Sequence, residues 1–93
     1  MIKEFKIIEK EDIPSLKFPT IDVLIDDNEI KIRLNDINRA LSLGNLEHSK
    51  IKIYFEDDQS QKMVETTVWA VTDKNVILKQ GARIPIHRIY KLS

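Results

Sequence analysis

Apolar and polar residues alternate between positions 21 and 34 with the period of two that is typical of half-buried β-strands. The alternating apolar residues are Ile21, Val23 and Ile25, then Ile30, Ile32 and Leu34. Polar residues separate the two series, and Asp27-Asn28 tolerate the left-handed backbone of a tight turn. The pattern therefore predicts a β-hairpin over residues 21–34.

The next segment has the spacing of a short helix. Ile37 and Leu41 are four residues apart, Asn35 or Asp36 can cap the start, and Gly44 can adopt the left-handed conformation that ends a helix. We predict a helix over residues 36–43. Because it has few apolar residues, we expect it to be stable only when it is docked on the sheet.

The second half of the chain returns to strand patterns. Ile51, Ile53 and Phe55 alternate with polar residues, and a long run rich in valine and threonine follows a polar turn at residues 56–61. The predicted strands after that turn are 64–72, 76–79, 83–86 and 89–92. Residues 1–20 are expected to form an arm, with a short strand at 5–8 and a loop around Pro14 and Pro19.

These elements predict one mainly β domain of the α+β kind over residues 1–93. It consists of an arm (1–20), a hairpin with a short helix (21–46) and a meander of short antiparallel strands (50–92). Such a meander is too small for a sandwich and avoids exposed edges by curling into a small barrel. We therefore expect a small SH3-like or Sm-like β-barrel.

The order of turns and strands in residues 50–92 resembles the closing half of small SH3-like or Sm-like barrels. In particular, Ile84-Pro85-Ile86-His87-Arg88-Ile89 resembles their final segment. The resemblance implies a strand, one turn of 3₁₀ helix and a last strand, as in the bacterial Rho-binding antiterminator family. The whole chain also resembles short proteins that are common in bacterial genomes, which implies a small bacterial protein of known fold type and no established activity.

Composition excludes several functions. The chain has no cysteine, so disulfides, thiolate metal sites and cysteine nucleophiles are excluded. Its longest apolar run, residues 68–71, is far too short for a bilayer span, so we expect a cytoplasmic protein without a membrane partner. Acidic side chains exceed basic ones in residues 1–61 and the reverse holds in residues 62–93, although the 15 basic and 15 acidic residues cancel overall.

Candidate catalytic residues are few. His48 and His87 are the two histidines, and neither lies in a motif for nucleophilic, metal or phosphate chemistry. We interpret His87 as a partly buried ring bonded to a backbone carbonyl, and His48 as a solvated loop residue. The acidic clusters at 26–29 and 56–58 lack the spacing of a calcium loop and are interpreted as turns. We therefore expect no enzymatic activity, cofactor or metal.

Trp69 gives the sharpest functional hypothesis. We expect it to pack beneath the predicted helix at Ile37 and Leu41, because a small core needs its area. If it is exposed instead, it forms with nearby basic and aromatic residues a surface that stacks a base and holds phosphates. The candidate binding residues are Trp69, Lys79, Arg83, His87, Arg88, Tyr90 and Lys91.

The function predicted from the sequence is binding without catalysis. A protein partner, held through a strand edge or a loop cleft, is the first hypothesis. RNA or another single-stranded nucleic acid, bound by the basic C-terminal third, is the alternative. A self-assembling subunit, formed by the hairpin and the last strand across a two-fold axis, is a further alternative, so monomer and homodimer both stay open.

Overall fold

Two β-sheets and one long helix make up the part of the chain that the computed structural model describes, residues 4–93. Residues 1–3 of the predicted arm lie outside the described residues. The helix, α1, is Asp27–Glu47, and 3₁₀ turns lie at Lys10–Ser15, Lys79–Gly81 and Ile86–Arg88. The strands are β1 Lys6–Ile7, β2 Ile51–Glu56, β3 Gln61–Thr66, β4 Val68–Val71, β5 Asn75–Leu78, β6 Arg83–Pro85 and β7 Ile89–Leu92.

The sheets have the orders β1-β3-β2-β7 and β4-β5-β6. Their strands are antiparallel apart from β1, which pairs in parallel with β3. Thr67 alone separates β3 from β4, so the predicted strand 64–72 is two strands in two sheets. The α+β class is confirmed, but residues in helices and 3₁₀ turns outnumber those in strands, so the chain is not mainly β as predicted. Over residues 4–93 the sheets do not join into a closed barrel.

The predicted hairpin at 21–34 is wrong, because α1 begins at Asp27. The Asp26 side chain accepts a hydrogen bond from the Asn28 N–H at 2.8 Å and caps the helix. The residues that α1 buries are Arg33, Ile37, Ala40 and Gly44, which have helical spacing. Alternation at 30–34 was misleading because an arginine holds a core position while Ile32 and Leu34 are more than half exposed.

The predicted helix at 36–43 is the central part of α1, and its predicted ends are wrong. Gly44 does not end the helix. It lies inside α1, where a Cβ atom would be 2.1 Å from the Val68 carbonyl oxygen. His48, with φ 54°, is the left-handed residue that ends α1. The absence of a side chain at Gly44 lets α1 pack directly on the β4 backbone, so the expected docking on a sheet is confirmed.

The core lies between the inner faces of the two sheets and α1. Ile51, Ile53 and Phe55 all point inward from β2, as the alternation predicted. Ile13, in the 3₁₀ turn of the arm, is also buried and attaches the arm to the core. Residues 83–92 form β6, one 3₁₀ turn and β7 in that order, close to the strands predicted at 83–86 and 89–92.

Candidate functional site

Residues 19–26, here called the connecting segment, join the arm to α1 and are held by residues from the C-terminus. His87 Nε2 donates to the Pro19 carbonyl at 2.9 Å, and Arg88 Nη1 donates to the Ile21 carbonyl at 2.6 Å. The Val23 N–H donates to the His87 carbonyl at 2.9 Å. The interpretation of His87 as a partly buried ring bonded to a carbonyl is thus confirmed.

Arg33 holds the same segment from the helix. Its guanidinium donates to both Asp22 carboxylate oxygens, at 2.8 and 2.9 Å, and to the Ile89 carbonyl at 3.0 Å. Arg33 is only 4% exposed, so its charge depends on this paired geometry. The hydrogen bonds from Arg33 hold the pKa of the Asp22 carboxyl below its usual range.

Arg88, predicted as a binding residue, is buried and used within the fold. Besides Ile21, its guanidinium donates to the Glu56 carbonyl at 3.1 Å and the Asp57 carbonyl at 3.5 Å. The Glu56 carboxylate lies 3.8 Å away and balances its charge. Arg88 therefore links the connecting segment to the end of β2 and is not presented to a ligand.

A cleft of about 520 Å³ opens between the connecting segment, the first turn of α1 and one end of the four-stranded sheet. The buried Leu24 side chain contributes to its wall, whereas Ile25 beside it is 93% exposed. The lining residues are Phe5, Val23, Leu24, Ile25, Asp26, Glu29, Gln61 and Tyr90. Most of this wall is apolar or aromatic, which is typical of sites that bind an apolar group.

Aromatic rings form the sheet side of the cleft. The Phe5 ring lies edge-on to Tyr54 and Tyr90, with centroids 5.1 and 5.8 Å apart. An irregularity in the pairing of β2 with β7 leaves Tyr90 without a partner in the register, so Tyr90 and Lys91 are both accessible on the outer side. Lys91 Nζ lies 4.8 Å from the Tyr54 ring centroid.

Tyr90 is fixed in place by polar neighbours. Its hydroxyl donates to the Glu56 carboxylate and accepts from Gln61 Nε2, the latter at 3.2 Å. Burial and the neighbouring Glu56 carboxylate raise the pKa of Tyr90. The ring is therefore a neutral, rigid part of the cleft wall at physiological pH.

The prediction that Trp69 packs beneath the helix is wrong, because its side chain is half exposed. The pairing of β4 with β5 shifts register between Val68 and Ala70, so Trp69 lies at an irregularity of the strand and points outward. The contact of Gly44 with the β4 backbone also leaves no room for an indole at that position.

The structure divides the predicted site residues into three places. Trp69, Lys79 and Arg83 are exposed on the side of the three-stranded sheet. Tyr90 and Lys91 lie on the four-stranded sheet, whereas His87 and Arg88 hold the connecting segment. The single basic and aromatic surface predicted from the sequence is therefore not formed.

Sequence reasoning missed the cleft, and above all Ile25. A signal was present, because Asp26-Asp27-Asn28-Glu29 has the spacing of a helix-capping box and so predicts a helix start. An apolar residue just before such a cap usually packs against the fourth helical residue, here Ile30. At 93% exposure, Ile25 does not make that contact.

Comparison with protein families, curated proteins and solved structures finds no match to this chain. The resemblance to Rho-binding antiterminators therefore stays a prediction. Within residues 4–93, no helix is both long and apolar enough to cross a membrane. In the same range, no three histidine or carboxylate side chains are grouped closely enough to hold a metal ion.

Proposed function

We propose that this protein is a non-enzymatic protein-binding module that takes a short apolar segment of a partner into the cleft. One observation carries the proposal: Ile25 is 93% exposed at the cleft on a segment that other residues hold in place. Exposed single apolar residues are common, but this one adjoins an apolar and aromatic wall.

The connecting segment is ordered before a partner arrives. Pro19, Ile21 and Val23 are hydrogen-bonded through their backbones, and Asp22 is paired with Arg33. A partner therefore does not bear the entropic cost of ordering this segment. Burial of Ile25 against an apolar side chain then contributes about 1.5–3 kcal/mol to binding.

The test is selection from a random twelve-residue peptide library displayed on phage, with the folded protein as bait. Enriched peptides are then measured by calorimetry against Ile25→Ser and against Leu46→Ser. Leu46 is the matched control because it is 82% exposed on the helix end away from the cleft. We expect a loss of affinity of about 10- to 150-fold for Ile25→Ser, from the lost burial, and none for Leu46→Ser. Peptides that bind both variants like the wild type would refute the proposal.

Nucleic-acid binding is a second candidate function, favoured by the half-exposed Trp69 on the side that also carries Lys79 and Arg83. An exposed indole stacks on any base, and two cations contact phosphates. A titration with single-stranded RNA oligomers tests it, because Trp69 is the one tryptophan of the chain and its fluorescence reports stacking. Quenching that weakens with salt supports this candidate; unchanged emission at low salt rejects it.

We also propose that β2–β7 are related to small SH3-like or Sm-like barrels. Support comes from the element order, in which β7 returns through a 3₁₀ turn to pair with β2. α1 contacts β4 of the three-stranded sheet and β7 of the four-stranded sheet, so the helix packs against both sheets. An experimental structure that superposes on no such barrel over residues 50–92 would overturn this relation.

The self-assembly alternative used the hairpin at 21–34, and that segment contains the first part of α1. β7, the other strand that it used, is an edge strand of the four-stranded sheet. Self-assembly through β7 therefore stays a prediction, which light scattering of the purified protein tests.

A further inference from the structure

We infer that the segment bound in the cleft carries lysine or arginine next to its apolar anchor. This inference rests on the proposed function and specifies the chemistry of the partner. It follows from the unequal distribution of charge around the apolar wall.

The cleft has carboxylates at its edge. Asp26 and Glu29 line it, Asp27 is exposed between them in sequence, and none of the eight lining residues found within 4–93 is basic. Among the described residues, only the Asp26 carboxylate has a hydrogen bond to its own chain there, from the Asn28 N–H. A segment that inserts an apolar side chain beside Ile25 therefore brings its flanking residues close to the Asp26 and Glu29 carboxylates, with Asp27 exposed in the same helical turn.

Elsewhere the fold neutralises its buried or half-buried carboxylates. Asp22 pairs with Arg33 at 2.8 Å, and Asp57 pairs with Lys62 at 2.9 Å. Among residues 4–93, the ion pairs within 4 Å include none that involves Asp26, Asp27 or Glu29. The negative potential of the cleft edge is thus not compensated by the described part of the chain.

The amino-terminal dipole of α1 offers a structural reason for acidic residues in its first turn. That reason predicts an effect on stability and none on peptide preference. If the carboxylates instead recognise a cationic segment, their removal should change peptide preference and have little effect on stability, because charges at the rim of an interface determine its specificity and its salt dependence. The two effects can therefore be measured independently.

The experiment uses peptides that the library selection yields as dependent on Ile25. Each is synthesised as selected and with its lysines and arginines replaced by glutamine. We expect basic residues to flank the apolar anchor and each replacement to weaken binding about two- to five-fold. The loss should shrink between 20 mM and 500 mM salt, because screening shortens the range of these charges.

Variants of the protein complete the test. D26N/D27N/E29Q removes the three charges and keeps an asparagine cap, so helix capping is retained. E11Q/E47Q/E65Q removes the same number of charges from exposed positions outside the cleft lining. We expect the first variant to bind the original and the glutamine peptides equally, and the second to discriminate like the wild type.

The outcomes separate the two proposals. Ile25-dependent peptides that show no basic enrichment, or that bind D26N/D27N/E29Q with unchanged preference, overturn the inference and leave the binding module intact. Failure to obtain any Ile25-dependent peptide overturns both. Equal loss of preference in the two charge variants shows a general effect of net charge and also overturns the inference.

Discussion

Replacement of Gly44 by alanine tests how α1 is docked. In an exposed helix interior, this change stabilises a protein by about 1 kcal/mol, because glycine is a poor helix former. Here the new Cβ atom would lie 2.1 Å from the Val68 carbonyl oxygen and 3.3 Å from Thr67 Cγ2. The obstacle is the backbone of the first residue of β4, so it cannot rotate away as a side chain could.

The cost can be worked from that distance. To bring the Cβ to a tolerable separation of roughly 3 Å, α1 must move by about 1 Å from β4, which loosens the packing of Ile37 and Ala40. Overpacking of this kind costs about 2–3 kcal/mol, from which about 1 kcal/mol of helix propensity is regained. We expect Gly44→Ala to lower the unfolding free energy by about 1–2 kcal/mol.

Thermal and urea unfolding, followed by circular dichroism, measure the effect. A chain of this size should lose about 4–15 °C in Tm. Asn45→Ala is the matched control, since Asn45 is exposed in the next helical position and should gain about 0.5 kcal/mol from propensity alone. If Gly44→Ala raises Tm as Asn45→Ala does, the close packing of α1 on β4 is refuted.

Three further outcomes follow from buried and exposed side chains. Arg88→Met should lower the unfolding free energy, measured by urea titration, by about 2–4 kcal/mol, because three carbonyls lose their donor. Arg83→Met is the control, since Arg83 is exposed on β6, and should change the unfolding free energy by less than about 0.5 kcal/mol. The pKa of Asp22 is lowered in the folded state, so its contribution to the free energy of unfolding is present above about pH 3.8 and is lost as the pH falls further. Arg33→Met should therefore make stability depend less on pH in urea unfolding curves measured between about pH 2 and 7. An unchanged dependence of the unfolding free energy on pH would contradict this role of Arg33. Acrylamide should quench Trp69 emission with a constant near half that of free tryptophan, while a value below about a tenth would place the indole in the core.

The sequence predicts the second half of the fold well. The alternation of Ile51, Ile53 and Phe55 is strict because β2 has one face on the core, so the period of two appears directly in the residue types. The turn after β2, the strands after residue 75 and the 3₁₀ turn before β7 also agree with the prediction, whereas the predicted strand 64–72 is two strands. In residues 50–92, the β-strand propensity of the residues and the alternation of buried and exposed side chains favour the same secondary structure.

The first half was misread because a polar side chain occupies the core. Arg33 lies on the inner face of α1 with Ile37, and its charge is neutralised by Asp22, which is eleven residues earlier. A hydrophobicity pattern cannot reveal such a pairing, since it depends on tertiary contact. The same holds for the cleft, where Ile25 becomes conspicuous only because the structure leaves it uncovered.

The C-terminal hydrogen bonds to the connecting segment determine when the cleft can exist during synthesis. His87 bonds Pro19 across 68 positions and Arg88 bonds Ile21 across 67, so the connecting segment is held only after residues far later in the chain have been made. Contacts of such long range form late, because closing the loop costs chain entropy first. Without His87 and Arg88 the connecting segment would keep its ion pair with Arg33 and lose the bonds at Pro19, Ile21 and Val23, so the proposed binding surface around Ile25 depends on contacts made almost 70 positions away in the chain.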